Sequence, residues 1–190
     1  MPLDVNALLA ANDEVAERLG ETFDYRLDLE AHRSDWFKID GVDKFQYLGR
    51  EGAGGVFIEL PDRRILYASS EGEAGIIARD FHAFIQLIVA YPYWKDILKF
   101  SGGGKLAEMR RAAIAMEAYT LDDEDELEEA REFVIEELAL NEPEDAVAAL
   151  HQCASATDVV VRSVHDGNPA TSLFNRFTID NNPMLRNLAD

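Results

Sequence analysis

The chain has 190 residues, in which acidic residues outnumber basic ones 37 to 18, for a formal net charge of -19. Hydrophobic residues make up 47% and charged residues 29%, a composition that excludes collagen-like, disordered and membrane-spanning chains. A length near 190 predicts one domain with an elaboration. The acidity argues against nucleic acid or an anionic membrane as partner, because both would repel it.

The sequence contains features of a cytoplasmic protein. Its single cysteine, Cys153, cannot form an internal disulfide, and residues 1–12 lack the pattern of a signal peptide. The most apolar stretch, 83–91, is interrupted by Gln86 and is much shorter than the roughly 20 residues of a spanning helix. We therefore expect a cytoplasmic location and no membrane segment.

The N-terminal part predicts one helix. Asp4 can cap it, and Gly20 provides a natural end. Between these two positions the following apolar residues have helical spacing: Val5, Leu8, Leu9, Val15 and Leu19. Residues 22–45 have a mixed pattern and stay unassigned, apart from a turn at Asp40-Gly41.

A small antiparallel sheet is predicted next. Strand-like apolar runs occur at 45–48, 56–60, 65–69 and 75–78. The turn at 61–63 is too short for a parallel connection, so the second and third runs should form a hairpin. We expect one face of this sheet to be covered by other elements.

The rest of the chain is predicted to be mainly helical. Asp80 should cap a helix that is apolar almost all round, which indicates burial across the sheet. Further helices are predicted at 93–100, 105–119, 122–140 and 144–154. A late strand at 159–164 and a partly ordered tail at 168–190 complete the prediction.

An acidic block occupies residues 122–145, with 13 acids and one base, Arg131. Glu128, Glu132 and Glu136 follow one another at four-residue spacing, where each like-charged pair costs a few tenths of a kcal/mol. Such a helix needs either apolar contacts with the core or a cationic partner. The block is therefore a solvated face or a docking surface for a basic protein. It lacks the calcium-loop pattern.

No catalytic motif emerges from the spacing of reactive residues, and we predict no catalytic residue, no cofactor and no metal site. The glycines of residues 49–55 precede a strand, so a hairpin loop is favoured over a phosphate loop. Glu71 and Glu73 lie on a glycine-flanked loop, where they could perform acid-base chemistry, receive a cation or simply occupy an exposed turn. The four histidines are dispersed and show no zinc-ligand pair.

Four consecutive segments resemble the SUKH superfamily, whose members are similar to the yeast cell-wall-synthesis regulator and include many bacterial immunity proteins. The segments are GREGAGGVFIEL at 49–60, ILYASSEG at 65–72, AGIIA at 74–78 and DFHAFI at 80–85. The resemblance implies an α+β fold with an antiparallel sheet, no catalytic residues, and binding to another protein. In many such systems the partner is a toxic effector, often a nuclease.

The sequence thus predicts an α+β protein with a SUKH-like part at 1–104 and a helical extension at 105–190 that packs on it as one unit. The leading hypothesis is a non-enzymatic protein-binding module, for example an immunity protein that masks a basic, nuclease-like toxin. The candidate partner-binding residues are Glu71, Glu73, Asp122, Glu128, Glu132 and Glu136. Two alternatives stay open: a ligand or enzymatic site between sheet and helices that uses Glu71, Glu73 and Trp94, and a scaffold or regulatory module. The oligomeric state is left open.

Overall fold

The structure is a computed structural model that describes residues 8, 13–27, 36–120, 124–141 and 143–188. Over these residues the fold is α+β, with a five-stranded antiparallel sheet, a two-stranded sheet and six α-helices. This confirms the predicted fold class. No helix in the described ranges is both long enough and apolar enough to cross a bilayer.

The larger sheet has the strand order β1-β3-β4-β5-β6, and each neighbouring pair is antiparallel. Its strands are β1 (Arg26–Leu27), β3 (Gln46–Arg50), β4 (Val56–Glu59), β5 (Ile65–Ala68) and β6 (Ala74–Ala78). The smaller sheet pairs β2 (Phe37–Ile39) with β7 (Val161–Ser163). The predicted hairpin and antiparallel sheet are therefore confirmed, while β1 and β2 lie in the stretch that the sequence left unassigned.

The helices are α1 (Asp13–Glu21), α2 (Phe81–Ala90), α3 (Trp94–Lys99), α4 (Leu106–Tyr119), α5 (Glu124–Glu137) and α6 (Ala146–Ala154). The predicted cap of α2 is confirmed, because the Asp80 carboxylate accepts a hydrogen bond from the Ala83 backbone N–H at 2.8 Å. The predicted start of the first helix at Asp4 lies outside the described residues.

Both faces of the larger sheet are covered, whereas the sequence predicted a need to cover one. On one face Phe57, Tyr67 and Ile77 pack into the core with α2. On the other face Ile58 and Leu66 pack in a second cluster with residues of the small sheet. All four residues of β5 are consequently buried, and its uninterrupted apolar run is the pattern of a strand that is covered on both faces.

The predicted partly ordered tail is wrong for residues 168–188. Leu173, Ile179 and Leu185 are buried members of the main core cluster. The Gly102 and Gly103 N–H groups donate to backbone carbonyls of this segment at 2.8 and 2.7 Å. The segment has hardly any regular secondary structure, so its apolar residues are not regularly spaced and their burial could not be predicted from the sequence.

Candidate protein-binding surface

The outer side of α5 carries five exposed acids, which we call the acidic face: Asp125, Glu128, Glu129, Glu132 and Glu136. The opposite side of the helix carries Ala130 and Val134, both fully buried. With 3.6 residues per turn, these two sets point in opposite directions, so the same helix packs inward and presents negative charge outward.

Apolar contacts hold α5 against the rest of the protein. They are one of the two means of stabilisation that the sequence predicted for this acidic helix. Leu127, Phe133 and Leu138 are partly buried against the main core, beside Ala130 and Val134. The helix packs on α1 and α2. Burial of this side can offset like-charge repulsion that amounts to only a few tenths of a kcal/mol per pair.

Arg131, the single base of the acidic block, has an internal structural role. Its guanidinium donates to the backbone carbonyls of Ala90 and Val89 at 3.0 and 3.2 Å, where α2 ends and carbonyl groups lack helical partners. It also donates to Glu117 of α4 at 3.1 Å, and its side chain is only 12% exposed. Arg131 thereby links α5 to α2 and α4.

Little positive charge neutralises the acidic face. Glu128 lies 3.4 Å from Arg131, and Glu129 lies 3.9 Å from Arg18. Within the described residues, Glu132 and Glu136 form no ion pair. The face therefore keeps most of its charge for an approaching molecule.

A groove of about 890 Å³ opens beside the acidic face, between α4 and α5. Its lining includes Ile114 of α4 and Ile135 of α5, which are 56% and 37% exposed. Acids line its border: Glu117, Glu128, Glu144 and Asp145. The sequence analysis missed this groove, although helical spacing places Ile114 opposite the buried Ala112 and turns Ile135 away from the buried Ala130 and Val134.

The structure does not bring all six predicted partner-binding residues together. Glu128, Glu132 and Glu136 share one helix face, and Asp122 lies outside the described residues. Glu71 and Glu73 lie in the turn before β6, where they line cavities that share no residue with the groove. Burial, and then the charge of Glu71, raises the pKa of Glu73 above its usual value.

A second polar cluster centres on Glu51, which sequence reasoning missed. Its carboxylate accepts hydrogen bonds from the backbone N–H groups of Ala53 and Gly55, both at 2.9 Å, and from Lys95 at 3.0 Å. The Tyr67 hydroxyl donates to it at 3.3 Å. The partner Lys95 is far away in the sequence, so only the fold reveals this arrangement.

The Glu51 cluster is a loop anchor rather than a set of free reactive groups. Burial alone raises the pKa of Glu51, but the hydrogen bonds from Ala53, Lys95 and Gly55 outweigh it and leave that pKa below its usual value. Glu71, Glu73 and Trp94, the residues of the alternative ligand site, do line one common cavity, but Trp94 is only 2% exposed and packs edge-on against Tyr67. The adjoining cavity measures about 210 Å³, below the roughly 300–1,000 Å³ of ligand pockets.

Cys153 is half-buried, and burial raises the pKa of its thiol, which disfavours the reactive thiolate. No group of three or more potential metal-ligating side chains occurs within the part of the chain that the structure describes. Comparison with protein-family models found no match, and neither a curated protein nor a solved structure matches the chain. The SUKH resemblance therefore depends on the four sequence segments alone.

Proposed function

We propose that this chain is a cytoplasmic, non-enzymatic protein-binding module of SUKH type, which docks a basic partner through the acidic face of α5. The observation that carries the proposal is that one side of α5 is buried in the core while the opposite side is exposed and acidic. Its buried side supplies the packing, while its exposed acids form few ion pairs with the other residues that the structure describes.

Electrostatics supports a docking role for this face. Clustered surface charge of one sign accelerates encounter with an oppositely charged surface and repels partners of the same sign. A nuclease-like toxin needs a basic surface to bind phosphates, so an acidic inhibitor is complementary to it. Under this proposal the chain acts as an immunity protein that masks such a surface.

Charge reversal of the acidic face tests the proposal. We expect Glu128→Lys, Glu132→Lys and Glu136→Lys together to slow association with the partner at least about tenfold, because the steering field is lost. Folding should be preserved, since the three side chains are exposed. The partner is first captured from a lysate of the encoding organism on the immobilised chain and then purified. Its association rate with each variant is measured at about 0.05 and about 0.3 M NaCl.

The matched control reverses Glu17, Glu21 and Asp43, three exposed acids outside α5. It changes the net charge equally, so it should retain much faster association than the α5 variant. Equal loss in both variants would mean that only total charge matters, and unchanged binding in the α5 variant would assign these acids to solubility; either result overturns the proposal. For the immunity role, co-expression of the wild-type chain should relieve the toxicity of the captured partner.

A further inference from the structure

The groove between α4 and α5 combines apolar and acidic groups on one continuous surface. Ile114 and Ile135 are exposed apolar side chains on its two helical walls. Arg131 and Arg110 neutralise part of the acidic border, at 3.1 Å from Glu117 and 2.7 Å from Asp145. Glu128 belongs both to this border and to the acidic face, so negative charge continues outward from the groove.

The chemistry of the groove discriminates between possible occupants. A second copy of this chain would bring another net charge of -19 against an acidic border. Nucleic acid would be repelled for the same reason. A strongly polar small ligand would need convergent buried donors or acceptors, but within the described residues no buried side-chain polar atom lacks a hydrogen-bond partner.

The secondary structure around the groove points to the form of the partner. The walls come from α4, α5 and residues 140–141 and 143–145 between α5 and α6, and the C-terminal half of α2 contributes the residues between them. None of these lining residues belongs to a strand of the described structure, so the groove offers no strand edge to an extended peptide. The remaining common mode for an apolar groove between helices is an amphipathic helix that inserts its apolar side.

We infer that this groove binds a basic amphipathic helix of the partner protein, with apolar residues seated between Ile114 and Ile135 and Lys or Arg residues directed at the acidic border. The inference rests on the proposed function and names the recognition element that the partner would use. Apolar contacts in the groove would hold the complex, while the acidic face would control the rate of encounter.

The test uses a labelled model peptide of about 18 residues, with Leu at positions i, i+3, i+4 and i+7 and Lys elsewhere. We expect fluorescence anisotropy to detect binding to the wild-type chain. The double variant Ile114→Ser and Ile135→Ser should bind at least about tenfold more weakly. The matched control, Val164→Ser with Met184→Ser, changes side chains that are 55% and 62% exposed elsewhere, and its affinity should be unchanged.

Two further peptides separate helix recognition from simple charge attraction. A peptide of the same composition with Leu and Lys in alternation lacks a helical apolar side, and one with Glu for Lys lacks positive charge; both should bind at least about tenfold more weakly. Equal binding of the alternating peptide, equal binding by the groove variant, or no binding to the wild-type chain overturns the inference. Thermal unfolding of both serine variants establishes that they are folded.

The outcomes distinguish this inference from the proposed function. If the natural partner loses rapid association with the α5 charge-reversal variant but binds the groove variant normally, the groove inference fails and the docking function stands. If the groove variant loses binding of the partner while reversal of Glu132 and Glu136 alone, which do not line the groove, changes nothing, the acidic face has no docking role and the groove is supported.

Discussion

Glu51 stabilises the β3–β4 loop through hydrogen bonds to its buried carboxylate. Only 4% of its surface is exposed, and its carboxylate holds the backbone N–H groups of the loop that it begins. Lys95 joins it to Asp24, whose carboxylate lies 3.2 Å from the same ammonium group and also accepts from the Gly52 N–H. The cluster therefore connects the β3–β4 loop to α3 and to the segment between α1 and β1.

The substitution Glu51→Gln should reduce the free energy of unfolding by about 1–3 kcal/mol at neutral pH, because charged hydrogen bonds to a buried carboxylate are lost. The pKa of Glu51 is lowered in the folded state, so its contribution is present above the unfolded pKa and disappears as pH falls through the folded pKa. Urea unfolding of wild type and variant should therefore show a difference at pH 7 that shrinks toward pH 3. A difference that stays constant with pH would contradict this account.

At the scale of elements, the approach of β1 to β3 depends on a glycine. Gly49 pairs with Leu27 next to a register irregularity in β3, and it has a φ of 157°. A Cβ atom at this position would collide with the carbonyl oxygen of Arg26 and with the ring of Tyr25. The first glycine of the segment 49–60 thus has a packing role, independent of any phosphate.

The substitution Gly49→Ala should destabilise the protein by about 1–3 kcal/mol, because β1 or Tyr25 must move to make room. The matched control is Gly20→Ala within α1, where the nearest atom would lie at 3.6 Å and no clash arises. For Gly20→Ala we expect the free energy of unfolding to increase by roughly 0.5–1 kcal/mol, since alanine favours the helix. Chemical denaturation measures both changes, and destabilisation of equal size at both sites would show that the contact with β1 is unimportant.

Elements also differ in how far the sequence could predict them. The strands β3 to β6 are short apolar runs bounded by turns, the helices α2 to α6 have apolar residues at helical spacing, and both sets occur close to their predicted positions. β1 and β2 have two and three residues, too few to show a period. They become strands because β3 and β7 supply hydrogen-bond partners that lie far away in the sequence.

For the whole molecule, a formal charge of -19 opposes compaction, since folding brings like charges closer together. Salt screens this repulsion, with a Debye length that falls from about 30 Å at 0.01 M to about 8 Å at 0.15 M. It also weakens the surface ion pairs, including the 2.6 Å contact of Arg64 with Asp158, but such pairs contribute little. Repulsion should therefore dominate the response to salt.

We expect the melting temperature to rise by a few degrees between about 0.01 and about 0.15 M NaCl, as measured by scanning calorimetry. The melting temperature of the variant with Glu128, Glu132 and Glu136 changed to Lys should rise less with salt, because much of the repulsion along α5 has been removed. A melting temperature that falls with salt would show instead that ion pairs outweigh repulsion.

The amino-acid sequence by itself determined the α+β class, the antiparallel hairpin, the capped apolar helix and the concentration of acids on one helix. These features depend on local period, turn chemistry and composition, which act between residues close together in the chain. Glu128, Glu132 and Glu136 could be placed on one face for this reason.

Only the tertiary structure decided which side of each helix remains accessible and which distant groups meet. The groove exists because α4 and α5 stand apart beside α2, joined there by Arg131. Lys95 reaches Glu51 because α3 packs beside the β3–β4 loop. Contacts between residues far apart in the chain result from burial of the whole core, which no local pattern records.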